Sequence, residues 1–100
     1  MEVPDAKIAA TDYQIDELLR SRWSPRALDN RPITKEEMLR LLEAARWAPS
    51  CANEQPWRFV VALRSDQEAF DRLLSCLVEG NRRWAARAGL LVLSVAKLAF

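Results

Sequence analysis

Residues 34–63 read TKEEMLRLLEAARWAPSCANEQPWRFVVAL, and the fold turns on this run. Thr34 followed by Glu37 is a capping box, in which hydroxyl and carboxylate each satisfy a backbone N–H that the helix leaves free. Met38, Leu41, Leu42 and Ala45, with Ala44 beside them, recur at the i, i+3, i+4, i+7 spacing of one apolar helix face. That helix should run to about Trp47 and stop at Pro49, whose ring cannot follow helical backbone. WRFVVAL, residues 57–63, is aromatic and β-branched and short enough for a strand. Between them RWAPSCANEQPW (46–57) packs two prolines, two amides, a cysteine and two tryptophans into what should be a plain connector.

Upstream, residues 1–11 read as a loose lead-in. Asp12 is placed to cap a short helix over YQIDELLRSR (13–22), with Ile15, Leu18 and Leu19 on one face. Pro25 argues against helix through SRWSPRALDNRP, which therefore reads as a loop. Downstream, Ser65 with Glu68 marks another cap. The helix it starts, SDQEAFDRLLSCL (65–77), would bury Ala69, Phe70, Leu73, Leu74 and Leu77. EGNRRWAARA (79–88) reads as a further short helix, and GLLVLSVAKLAF (89–100) as a second buried strand. The order helix, helix, strand, helix, helix, strand is an α+β or α/β pattern. Two strands alone make a marginal sheet, so the residues point to pairing with another copy or to a larger domain.

Composition narrows the function classes. One hundred residues, half of them hydrophobic and 29% charged, fit one small folded domain. Only two glycines predict long helices with few tight turns. A formal charge of +1 gives no push towards nucleic acid or an anionic membrane surface. With no histidine, and with Cys51 and Cys76 far apart, a Cys/His zinc site is disfavoured and Cys51 lacks a base to activate it. The early acids read as no signal peptide, and AGLLVLSVAKLAF is too short and too interrupted to span a bilayer. A disulfide between Cys51 and Cys76 is allowed, but two reduced thiols fit better, and together with the early acids they lead to the expectation of a cytoplasmic protein.

Two segments could carry chemistry. Arg20, Arg22, Arg26 and Arg31 surround Ser24, and guanidinium groups with a hydroxyl suit a phosphate. The residues equally allow a solvated basic loop with ordinary surface ion pairs. In PSCANEQPW, Asn53 and Gln55 could face a heteroaromatic ligand, or could satisfy backbone groups of a rigid turn while Trp57 fills the core. Trp23, Trp47 and Trp84 read as packing residues, with Trp47 and Trp57 anchoring the helix and strand on either side of the connector.

RWSPRAL (22–28), PITKEEMLRLLEAARWAPSCANEQPWRFVV (32–61) and NRRWAARAGLLVLSVA (81–96) together resemble the N-terminal half of the FMN-dependent nitroreductase family, over about residues 15–96. The resemblance implies a three-layer α/β/α fold with a central, mostly antiparallel sheet. This chain would supply helices and about two strands, completed by dimerisation. It implies FMN as cofactor and NAD(P)H as reductant, with hydride passed to a nitroaromatic, a quinone or a similar small-molecule acceptor. Arg22, Ser24 and Arg26 would hold the FMN phosphate and the polar edge of the flavin. Pro49, Ser50, Cys51, Asn53 and Gln55 would lie against the flavin across the interface of a homodimer. In that family an asparagine preceding the later helix reaches the flavin, and Asn81 matches it. No side chain is implied as a catalytic acid, base or nucleophile, because the hydride chemistry belongs to the flavin. Family domains continue with further strands, an interface helix and the backbone donor that faces flavin N5. The residues by themselves leave open a non-catalytic α/β module that dimerises and binds a nucleotide weakly.

Overall fold

The capping box forms as its spacing requires. In the computed structural model, which describes residues 3–99, the Thr34 hydroxyl accepts from the Glu37 N–H, and the Glu37 carboxylate accepts from the Thr34 N–H, each at 3.1 Å. Helix α2 (Lys35–Arg46) follows, ending one residue short of Trp47. Before it stands the single-turn helix α1 (Glu17–Ser21); after it come strand β1 (Trp57–Leu63), helices α3 (Gln67–Leu74) and α4 (Glu79–Ala85), and strand β2 (Leu90–Ala96). The expected order of elements holds. Met1, Glu2 and Phe100, to which the lead-in and second-strand readings extend, lie outside the described residues.

Two caps move. Helix α1 starts on Asp16, whose carboxylate accepts from the Leu18 N–H at 2.8 Å, so the Asp12 start is wrong and the helix is half the anticipated length. Helix α3 is capped by Asp66 rather than Ser65, which leaves Glu68 at the second helical position, where no capping box closes. Aspartate and serine are comparable N-caps, so the residue that caps is the one standing immediately before the first helical turn, Asp16 in α1 and Asp66 in α3. The lead-in is also tied down in part. Residues Asp5–Lys7 form a 3₁₀ turn, Ala9 N–H donates to the Arg20 carbonyl at 3.0 Å, and the Lys7 ammonium sits 5.0 Å from the Trp23 ring centre.

The long helices inferred from scarce glycine do not occur. The chain turns tightly without glycine, because Ala52, Asn53 and Gln55 take left-handed backbone with φ of 50–53°. One glycine is nonetheless fixed by space: a Cβ on Gly89 would come within 2.5 Å of Ile33 Cγ1 and 3.1 Å of the Arg31 carbonyl.

β1 and β2 pair antiparallel, from Trp57 opposite Ala96 to Leu63 opposite Leu90, and α3 packs on both strands. Ala62 and Phe70 are buried where sheet and α3 meet, and Met38 and Ala85 are the other buried apolar residues. The apolar stripe of α2 is less covered than its pattern predicts, since Leu41 is exposed and Leu42 and Ala45 are half-buried. By the alternation of strand side chains, Val60, Leu93 and Val95 share one sheet face and Phe59 and Val92 the other, and all five are exposed. The radius of gyration of 16.2 Å exceeds the roughly 13 Å of a compact chain of this length. The apolar surface is therefore only partly buried within one chain.

Candidate flavin-facing loop

The connector is built by backbone bonds that leave its amides free. Ser50 is extended, and residues Cys51–Asn53 make a 3₁₀ turn closed by Asn53 N–H to the Ser50 carbonyl at 3.1 Å and Glu54 N–H to the Cys51 carbonyl at 3.0 Å. The Ser50 hydroxyl then accepts from the Gln55 N–H at 3.0 Å. Asn53 and Gln55 are exposed, and neither side-chain amide hydrogen-bonds to another described residue. The reading in which these amides satisfy the turn is thus replaced by one in which Ser50 does so. Pro49 and Cys51 are exposed beside them, and Cys51 and Cys76 are free thiols.

Trp47 is not an anchor. It is 74% exposed, pinned by its indole N–H donating to Glu43 at 3.0 Å and by the Arg46 guanidinium 5.4 Å from its ring centre. Arg46 also pairs with Glu43 at 3.0 Å. The indole N–H, with Arg46 adding its charge, holds the Glu43 carboxyl below the ordinary carboxylate range. Arg46, Trp47, Asn53 and Gln55 line one shallow depression. The i, i+3, i+4 spacing of Glu43, Arg46 and Trp47 is the helix-surface signal in the sequence for this cluster. Trp23, Trp57 and Trp84 are half-buried.

The arginine cluster divides by partner. Arg20 pairs with Glu17 at 3.4 Å and Arg31 with Glu37 at 3.1 Å. Arg22 and Arg26 are exposed and form no ion pair among the described residues. Arg22 leans 3.4 Å from the Ser24 hydroxyl, which keeps the two donors on the same side of the loop. An unneutralised pair of guanidinium groups beside a hydroxyl is the donor set a phosphate needs. Asn81 lies within α4 rather than before it, and its carbonyl oxygen accepts from the Trp84 indole at 3.4 Å.

One long-range hub carried no sequence signal. The half-buried Arg64, just past β1, donates to the carbonyls of Asn30 at 2.7 Å, Arg87 at 2.7 Å and Ala88 at 3.3 Å. It ties the end of the arginine loop to the α4–β2 junction. The arginine loop and the amide connector remain separate within one chain. No hydrogen bond joins them among the described residues, and none of the main surface depressions is lined by both.

Residues 19–97 match the sequence profile of the Nitroreductase family. The chain belongs to that family. It is 40% identical over 76 residues to the nitrobenzene nitroreductase of Ectopseudomonas oleovorans, covering 76% of this chain and 31% of that one. It is 35% identical over 68 residues to the chloronitrobenzene nitroreductase of Comamonas testosteroni, covering 68% of this chain and 29% of that one. A crystal structure of an oxidoreductase containing FMN superposes with a TM-score of 0.84 at 42% identity, over 96% of this chain and 47% of its own. The nitroreductase fold expected from the resemblance is therefore present. The chain spans between about a third and a half of the length of these relatives.

Among the described residues, no helix is long and apolar enough to cross a membrane.

Proposed function

We propose that this chain forms part of an FMN-dependent oxidoreductase site, in which hydride from NAD(P)H is passed to a nitroaromatic, quinone or similar acceptor. The observation that carries the reading is the pair of free donor sets. Among the described residues, two guanidinium groups without an ion pair flank a hydroxyl on one loop, and two exposed amides without a hydrogen-bond partner stand on the other. Anion donors and heterocycle-matching amides are the chemistry that a flavin mononucleotide requires. Membership of the family and the likeness to an FMN-containing structure support the same assignment.

Bound FMN supplies the hydride chemistry, and the protein supplies position and electrostatics. Arg22 and Arg26, with Ser24 as a neutral donor, would hold the phosphate and the polar edge of the flavin, one of the two arginines supplying positive charge that favours the reduced flavin. Asn53 and Gln55 would hydrogen-bond the heterocycle, Pro49, Cys51 and the Ser50 backbone would line the site beside it, and Asn81 would offer its Nδ2 donors. A homodimer, in which each site takes one donor set from each copy, is the assembly that fits two donor sets joined by no hydrogen bond among the described residues.

Anaerobic addition of NADH or NADPH to the FMN-loaded protein is expected to bleach the flavin absorbance, and a nitroaromatic should restore it. A flavin spectrum unchanged by either nucleotide would overturn the reading.

A further inference from the structure

We propose that Ser50 is a positioning residue that acts through Gln55, rather than a group that touches the cofactor through its hydroxyl. The proposal rests on the flavin reading above and refines it. Gln55 sits at φ 50°, a left-handed conformation that an L side chain adopts only when its surroundings over-determine it. Within the chain the bond holding its N–H is the one to the Ser50 hydroxyl, at 3.0 Å across five residues. The Ser50 carbonyl meanwhile accepts from the Asn53 N–H, so the carbonyl and the hydroxyl of one residue close the turn that carries both amides. The consequence is chemical. Because Ser50 satisfies the turn, the Gln55 side-chain amide is not recruited to do so and stays available to a ligand.

Without the hydroxyl, the Gln55 N–H loses its acceptor and the left-handed residue its restraint. The peptide then samples extended backbone, and the side chain swings away from the position it holds now. A net hydrogen bond of ordinary strength corresponds to about a three- to tenfold change in the population of the presenting conformation, and so in ligand affinity.

The test is a double-mutant cycle on FMN affinity, read by fluorescence quenching, together with amide hydrogen exchange at Gln55. Ser50→Ala is expected to weaken FMN three- to tenfold and to speed Gln55 N–H exchange by a similar factor. Ser50→Thr, which keeps the oxygen, should restore both. In a Gln55→Ala background, Ser50→Ala should have almost no further effect on affinity. Full additivity of the two losses would show a direct Ser50 contact and overturn the proposal. Unchanged Gln55 exchange in Ser50→Ala would overturn it without reference to any cofactor. FMN binding unaffected by Gln55→Ala would overturn the flavin role of Gln55, and this proposal with it; additivity removes the proposal alone.

Discussion

Arg64 and Asn30 stand thirty-four residues apart in sequence, yet the guanidinium of one meets the carbonyl of the other at 2.7 Å. The same side chain holds the carbonyls of Arg87 and Ala88. One planar fork thus fixes the exit of the arginine loop against the entrance of β2, geometry a single ammonium cannot reproduce. Replacing Arg64 with alanine should cost about 1–2 kcal/mol in urea unfolding, because water replaces only part of what the charged donor supplies. Arg64→Lys should fall between the two. Equal stability of all three proteins would refute the hub.

Gly89 packs under Ile33 at the same junction. Gly89→Ala should destabilise by about 1–3 kcal/mol, since the new methyl meets the Cγ1 methylene of Ile33 and two backbone atoms that cannot move away freely. Ile33→Ala removes the nearest of these atoms, so the double variant should lose less than the sum of the two single losses. A thermodynamic cycle from urea unfolding curves measures that coupling.

Ala52 holds φ 51° without the freedom of glycine. Ala52→Val should cost about 1–2 kcal/mol, because a β-branched side chain is least tolerant of left-handed backbone. Ala52→Gly should match or exceed the parent stability, strain relief offsetting the greater entropy of the unfolded glycine. Thermal unfolding of the three proteins gives the order Gly at or above Ala, then Val.

Glu37 closes the capping box and pairs with Arg31. The Thr34 backbone N–H first, and then the Arg31 guanidinium, hold its carboxyl below the ordinary carboxylate range. A depressed carboxyl pKa stabilises the fold above the unfolded value, and that contribution is lost as pH falls below about 4.5 and through the folded pKa. Glu37→Gln should therefore flatten the acid limb of stability as pH falls below about 4.5, which chemical denaturation at stepped pH will measure.

How much of this was legible in the sequence depends on the range of the interaction. The capping box, β1 and the order of elements rest on neighbours within four residues, and all three were readable. The caps at Asp16 and Asp66 were missed because several acids and hydroxyls compete for the same turn, and spacing alone does not rank them. The failed inference from scarce glycine has a local cause: Ala52, Asn53 and Gln55 make the sharp turn that glycine usually makes. Trp47 was read as an anchor because aromatic rings are usually buried, but Glu43 and Arg46 hold it at the surface. The candidate site residues were nameable from their motif. What the motif could not supply was which arginines remain unpaired, and that Ser50 rather than Asn53 or Gln55 satisfies the turn. Arg64 lay beyond reach, since its partners are 23 to 34 residues away.

We propose that the exposed guanidinium groups of Arg22 and Arg26 hold FMN. The most direct measurement is the flavin absorbance that remains after exhaustive dialysis, for the parent protein and for the double variant Arg22→Ala/Arg26→Ala. The parent should stay yellow with a near-stoichiometric flavin band, and the double variant should emerge colourless while still folded by circular dichroism. A colourless parent after loading with FMN, or a double variant as yellow as the parent, would contradict the account.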